Sequence, residues 1–352
     1  MIVLGIETSC DETSAAVVKN GRRIFSNIIA SQTELHAPFG GVVPELAARR
    51  HIEAIGYIVD QALAQAGITL GDVDAYAAAN GPGLVGALLV GVNYAKGLAF
   101  AQKKPIVGVH HIEGHVCANL LDTEKGEGTS ECDLSKATER TERLSPPFLS
   151  LVVSGGHTVL LDVRDYDTYN VLGGTKDDAA GEAFDKVARV LGLPFPGGPE
   201  VDKLAREGNP SAIRFPRARV GAYEFSFSGL KTAVMQYIIK NKDYNAADVA
   251  ASFQQAVVDV LAENAVKAAR DKGYGDIALA GGVACNRALR AEMEKACEEN
   301  GLRLWMPPPI LCTDNAAMIA ARGYYRLLSK PAGDGWDLDV FPERMTDTRG
   351  TV

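Results

Sequence analysis

The stretch Ile2-Val3-Leu4-Gly5-Ile6-Glu7-Thr8-Ser9-Cys10-Asp11-Glu12-Thr13-Ser14-Ala15-Ala16-Val17-Val18 holds two short apolar runs, Ile2 to Ile6 and Ala15 to Val18, joined by hydroxyls and acids. Such runs on either side of a polar turn predict a β-hairpin. Its tip offers small hydroxyl side chains and exposed amides of the kind that cradle a phosphate, and it reads equally as a plain polar turn. Asp11 and Glu12 there are candidates to orient a hydrated metal ion or polarise a nucleophile. The pattern returns later: Phe148 to Val153 runs into Ser154-Gly155-Gly156-His157-Thr158 and on into Val159 to Val163. Two such turns in one chain predict duplicated halves.

Around these hairpins, strands alternate with helices. Pro44 to Ala66 carries apolar residues at helical spacing, with Arg49, Arg50 and His51 expected on a solvated or interfacial face. A strand Ala75 to Ala79 and a helix Gly86 to Ala101 follow, and Pro105 to Val109 reads as a buried strand. Further helices are predicted over Asp178 to Leu191, Pro199 to Arg206 and Ala246 to Lys272. A strand Asp276 to Ala280 stops at Gly281-Gly282-Val283-Ala284-Cys285-Asn286 before a helix to Asn300. After a strand Leu302 to Met306, Cys312-Thr313-Asp314-Asn315 opens a last helix to Leu328. This succession predicts an α/β protein with paired lobes closing on a nucleotide. Asp122 to Pro147 is too polar to bury a core and is read as a mobile insertion.

Composition sets outer limits. The chain has 352 residues, 47% apolar and 23% charged, enough for two folded domains. No targeting segment and no membrane-length apolar stretch is evident, so a cytoplasmic protein is expected. The six cysteines form no C-x-x-C pair and read as reduced and mostly structural. A net charge of -8 argues against a large nucleic-acid footprint on this chain alone. The best local candidate for RNA phosphates is the basic and aromatic stretch from Ile213 to Thr232, with Arg214, Arg217, Arg219 and Lys231; a solvated surface loop explains it equally well.

His110-His111-Ile112-Glu113-Gly114-His115 follows the predicted strand Pro105 to Val109. If helix begins here, His111 and His115 share one face and both imidazoles reach one ion; the plainer reading is two polar histidines at a helix start. The order is not H-E-x-x-H, so the motif lacks the base of a metallopeptidase. All six histidines lie in the first half of the chain, so a third ligand from the second half is a carboxylate or a cysteine. Asp314 is either that ligand or a helix N-cap.

Taken together, several stretches resemble the TsaD family of tRNA threonylcarbamoyladenosine biosynthesis proteins, once labelled glycoproteases or O-sialoglycoprotein endopeptidases. They are Gly5 to Thr13, His111 to His115, Val153 to Thr158, Asp177 to Lys186, Phe225 to Thr232 and Gly281 to Asn286. The resemblance implies the two-lobed actin-like, sugar kinase and chaperone ATPase (ASKHA) fold. It further implies one divalent metal ion, iron(II) favoured and zinc possible, on His111, His115 and Asp314. A pocket for threonylcarbamoyl-AMP would be lined by Val152, Val153, Ser154, Gly155, Gly156, Asp185, Gly198, Asp202 and Asn286. The implied reaction moves the threonylcarbamoyl group to N6 of the adenosine 3′ of the anticodon in tRNAs reading ANN codons, with Asp11 expected near the attacking amine. A TsaB-like paralogue, a TsaE-like ATPase and a separate synthase are the implied partners. The expected domains are 1–109 plus 314–330, then 110–313 with the 122–147 insertion, and a tail 331–352. A metallopeptidase of the glycoprotease type is the alternative, and no role for His157 is chosen.

Overall fold

The computed structural model describes residues 1–123 and 142–343 and divides into two compact units, which are taken in turn. Most of the 122–147 insertion lies outside the described residues.

The first unit starts with the expected hairpin: β1 (Ile2–Glu7) pairs antiparallel with β2 (Glu12–Lys19), Gly5 opposite Ala16 and Glu7 opposite Ser14. Strand β3 (Arg23–Ser31), unforeseen because its alternation is diluted by Arg23, Ser26 and Asn27, extends the sheet beyond β2. The short α1 (Thr33–His36) leads to α2 (Pro44–Ala66). Then β4 (Ala75–Gly81), α3 (Val85–Gln102) and β5 (Ile106–His110) add two parallel strands on the other side of β1, giving the order β3-β2-β1-β4-β5. Helix α4 (His111–Cys117) begins directly at the end of β5. Leu4, Ile6, Val17, Ile55, Val59, Tyr76 and Val92 form one buried cluster between this sheet and the helices α2 and α3.

The second unit repeats the plan. Its sheet is built of β6 (Phe148–Val153), β7 (Thr158–Val163), β8 (Tyr169–Gly174), β9 (Asp276–Ala280) and β10 (Arg303–Trp305), in the order β10-β9-β6-β7-β8. Strand β6 takes the place of β1, antiparallel to β7 and parallel to β9. The duplication expected from the two hairpins is therefore present strand for strand. Helices α5 (Ala180–Val190), α6 (Gly197–Ala205), α7 (Ser228–Lys240), α8 (Ala246–Lys272) and α9 (Arg287–Glu299) belong to this unit.

The chain then returns to the first unit through α10 (Pro309–Cys312) and α11 (Ala316–Ser329). Residues 110–121, 164–169 and 307–313 pack with the first unit, so the second unit comprises Pro147–Val163 and Asn170–Met306 rather than 110–313. The cause is burial, since α4 lays its apolar residues against α11. The described part of the tail is a strap rather than a free end. Asp334 Oδ2 accepts from the Gly108 amide at 2.8 Å, Lys96 Nζ donates to the Leu338 carbonyl, and the Phe341 amide donates to the Asn80 carbonyl at 2.7 Å.

Two local expectations are corrected. His51 is not solvated: it is fully buried, while Arg49 and Arg50 are exposed and paired with Glu45 and Glu53. Asn315, not Asp314, caps α11, its side chain accepting from the Met318 amide at 3.0 Å. That leaves the Asp314 carboxylate for other work.

Candidate metal centre

Because β5 hands straight over to α4, the first helical residue is already a histidine, and its partner one turn later lies on the same face. The two rings meet edge to face with centroids 4.6 Å apart. Asp314, between α10 and α11, brings Oδ1 to 3.4 Å from His111 Nε2 and 3.2 Å from His115 Nε2. One donor atom from each of the three residues falls within 4.8 Å of the others. Both histidines are buried and Asp314 is partly so.

Glu7, the last residue of β1 and fully buried, holds the first imidazole from behind: its Oε2 lies 2.9 Å from His111 Nδ1. A buried carboxylate there accepts the Nδ1 proton, so in the neutral, metal-binding form of the ring the lone pair is on Nε2, facing Asp314. This is the carboxylate–histidine arrangement that sets tautomer and ring orientation in metal sites. His115 is completely buried, yet its Nδ1 has no hydrogen-bond partner and its Nε2 has only the Asp314 carboxylate beside it. Unpartnered buried nitrogens beside an acceptor-only carboxylate are unfavourable by themselves, and a cation relieves that.

The electrostatics agree. Burial works against the charge of Asp314, but His111 and His115 outweigh it and hold the carboxyl far below the usual carboxylate range. Burial also depresses His111, yet Asp314 and Glu7 win and raise it well above the ordinary imidazole value. His115 is lowered, first by burial. At the neighbouring hairpin tip, burial followed by the charges of Asp314 and Asp11 pushes Glu12 up to about 9. So many carboxylates in one place call for a positive ion. Two imidazoles and one carboxylate, with positions left open, suit zinc in a catalytic setting and equally the iron(II) facial triad.

Asp11 sits partly buried at the tip, in hydrogen-bond contact with the side chains of Cys10 and Glu12, both of which also feel the charge of Asp314. His51 holds this tip from α2, with Nε2 at 2.9 Å from the Cys10 carbonyl and Nδ1 at 2.8 Å from Thr13 Oγ1. Glu113, the only acid within α4, is engaged by Arg322 at 2.7 Å. The histidine helix therefore supplies no free carboxylate to activate a water, and the peptidase expectation loses its support there.

In the second unit Val152 to Gly156 and the turn from Gly281 to Asn286 lie at the carboxyl ends of the paired parallel strands β6 and β9, where α/β sheets bind ligands, while Asp185 stands on α5 and Gly198 and Asp202 on α6. Val152, Val153 and Ser154 are buried and Gly155 and Gly156 exposed. Ser154 Oγ accepts from the His157 amide at 3.1 Å. Gly281, at φ +90°, lets β9 end against β6: a β-carbon there would lie 2.4 Å from the Val153 carbonyl oxygen. Asp185 on α5 accepts from the Gly197 amide at 2.7 Å and from that of Gly198, fixing the start of α6; burial raises its carboxyl and those amides pull it back. Asp202 is buried and accepts from Arg206, and Asn286 caps α9 while donating to Gln254 Oε1 at 2.7 Å. The expected RNA patch is largely committed within the unit: Arg217 pairs with Asp259, Arg219 with Glu263 and Lys231 with Asp178, and Phe225 and Phe227 are buried.

Sequence reading passed over Glu7, Gln254, Asp178 and Arg322. Glu7 had a usable signal, an acid ending an apolar strand. The other three owe their roles to partners far away in the chain.

Comparison with known proteins adds an independent line. A family model described as "TsaD: tRNA N6-adenosine threonylcarbamoyltransferase" matches residues 23–321. A Clostridium perfringens protein named tRNA N6-adenosine threonylcarbamoyltransferase is 54% identical over 333 residues, covering 93% of each chain. One of the same name from Clostridium botulinum is 52% identical over 346 residues, 97% of this chain and 96% of its own. Full-length HypF in its phosphate- and nucleotide-bound form superposes with a TM-score of 0.61 at 13% identity, over 95% of this chain and 47% of HypF. Component A of the Acidaminococcus fermentans (R)-2-hydroxyglutaryl-CoA dehydratase gives 0.51 at 14% identity, over 93% of this chain and 99% of its own. At such low identity these two share the fold alone.

Proposed function

The chain belongs to the TsaD family of tRNA N6-adenosine threonylcarbamoyltransferases, and from that membership we propose how its residues carry out the transfer. It is a tRNA-modifying transferase of threonylcarbamoyladenosine biosynthesis. The single observation behind the mechanistic reading is the convergence of His111, His115 and Asp314 on one point.

The donor is threonylcarbamoyl-AMP and the acceptor is N6 of the adenosine 3′ of the anticodon in tRNAs reading ANN codons. An aromatic exocyclic amine is a weak nucleophile, so the carbamoyl carbon must be made more electrophilic while AMP leaves. His111, His115 and Asp314 would hold a divalent ion, iron(II) before zinc, with Glu7 keeping the His111 Nε2 lone pair directed toward it. When bound, such an ion supplies Lewis-acid stabilisation of the charge that develops on oxygen. Asp11 is assigned to the attacking amine, which it orients through its carboxylate.

On the nucleotide side, the Ser154 hydroxyl and the turn amides of Gly155 and Gly156 face the phosphate, with Val152 and Val153 beneath them. Asp185 keeps Gly198 in place, Asp202 meets ribose hydroxyls, and the open glycine turn before Asn286 admits the adenine. The carboxyl-end location, the exposed glycine amides and the fold support this assignment. A TsaB-like paralogue, a TsaE-like ATPase and a separate adenylate-forming synthase are proposed as partners on family membership alone. No helix among the described residues is long and apolar enough to cross a membrane; cytoplasmic placement is proposed from the tRNA substrate.

The test is a His111→Ala/His115→Ala double variant, scored for bound metal by mass spectrometry and for threonylcarbamoyl transfer from the adenylate to tRNA. Loss of both is expected. A metal-free variant that still transfers at the wild-type rate would overturn the assignment.

A further inference from the structure

The helix that carries both imidazoles cannot hold its own place. At seven residues α4 is below the length at which a helix is stable in water, so whatever packs on it decides where His111 and His115 point. The main packing comes from α11, the helix that follows Asp314. A β-carbon on Gly114 would lie 2.9 Å from Ile319 Cδ1 and 3.4 Å from Met318 Cγ, so α11 crosses α4 at the residue just before His115.

One turn further along α11 is Arg322, only 2% exposed. Its Nε–H donates to Glu113 Oε2 at 2.7 Å, and Nη2–H donates to Asp167 Oδ1 at 2.7 Å. The guanidinium also lies over the Tyr169 ring, 5.0 Å from its centroid, and the Tyr169 hydroxyl is 3.4 Å from the Sγ of Cys117, the last residue of α4. Glu113 stands between the two histidines in sequence, so Arg322 grips α4 at its middle and, through Tyr169, at its end.

We propose that the Glu113–Arg322 pair is the positioning element of the metal centre, a buried ion pair that fixes the separation between the histidines of α4 and Asp314 at the head of α11. Apolar contacts such as Gly114 on Ile319 resist separation but permit sliding. A guanidinium fork held by carboxylates fixes direction as well. A buried ion pair contributes little net stability over an apolar pair of equal volume, so its presence at this spot is explained by geometry rather than by stability. The inference rests on the metal reading of the triad.

Asp167 provides the control, because it takes the other side of the same guanidinium from outside α4. The full-length protein, stripped and titrated with Co2+, is followed by its visible ligand-field bands, alongside Glu113→Gln, Arg322→Lys and Asp167→Asn. Glu113→Gln keeps shape and an acceptor; should it fail to fold, Arg322→Lys, which keeps the charge and loses the fork, carries the test. Glu113→Gln and Arg322→Lys should bind Co2+ about 10-fold or more weakly, with altered bands, the size typical of groups that orient metal ligands. Asp167→Asn, which touches no residue of α4, should stay well short of the 10-fold loss that marks a group orienting a metal ligand. Wild-type affinity in both α4-directed variants, or an equal loss in Asp167→Asn, would overturn the proposal. A wild-type protein that takes up no Co2+ at all would instead overturn the metal reading beneath it.

Discussion

Glu7 Oε2 stands 2.9 Å from His111 Nδ1, and neither side chain reaches solvent to any useful extent. One residue ends the first strand and the other begins a helix more than a hundred residues later, yet together they decide which nitrogen of the imidazole is free. A metal ligand needs that choice made before the ion arrives.

Replacing Glu7 with Gln keeps the volume but lets an amide N–H point at Nδ1, which favours the wrong tautomer. Metal affinity should fall about 10- to 100-fold with the fold intact. Zinc competition against a chromophoric chelator, with circular dichroism as the check on folding, reads the effect. An affinity equal to wild type would show that His111 needs no orienting partner.

His51 gives a pH prediction. Burial lowers its pKa from the ordinary 6.5, with His36 acting in the same direction, although the Cys10 carbonyl, Glu7 and Asp11 favour the proton. The unfolded chain thus takes up this proton at higher pH than the folded chain does. Between the two pKa values the unfolded state binds more protons, so stability falls as pH drops through about 6.5 and levels off below the folded value. Each unit of depression is worth about 1.4 kcal/mol. Urea midpoints at pH 7 and pH 5 should differ more for wild type than for His51→Asn; equal differences would remove His51 as the source.

Gly281 is the backbone prediction. An alanine there must adopt φ +90° and push its β-carbon into the Val153 carbonyl oxygen. The cost should be about 1–3 kcal/mol, paid where β6 and β9 meet. Gly281→Ala should lower the thermal midpoint and raise the KM for the adenylate severalfold while leaving metal content unchanged. An unaltered KM would separate this turn from the nucleotide.

Much of this molecule was legible in the one-dimensional record, because local physics writes locally. Apolar runs of strand length around polar tips identified both hairpins and, through them, the duplication. Spacing of four put His111 and His115 on one face before any helix was seen. Other features have no local trace. Asp314 read as either a ligand or an N-cap until Asn315 was found in the capping role. His51 sat in a run of charged residues and proved to be sealed beneath the hairpin tip. Arg322 resembled any basic residue in the middle of a helix, and only the crossing of α11 over α4 made it the partner of Glu113. Periodicity and turn chemistry depend on neighbours in the chain. Ion pairs, tautomers and ligand convergence depend on neighbours in space, which packing alone selects.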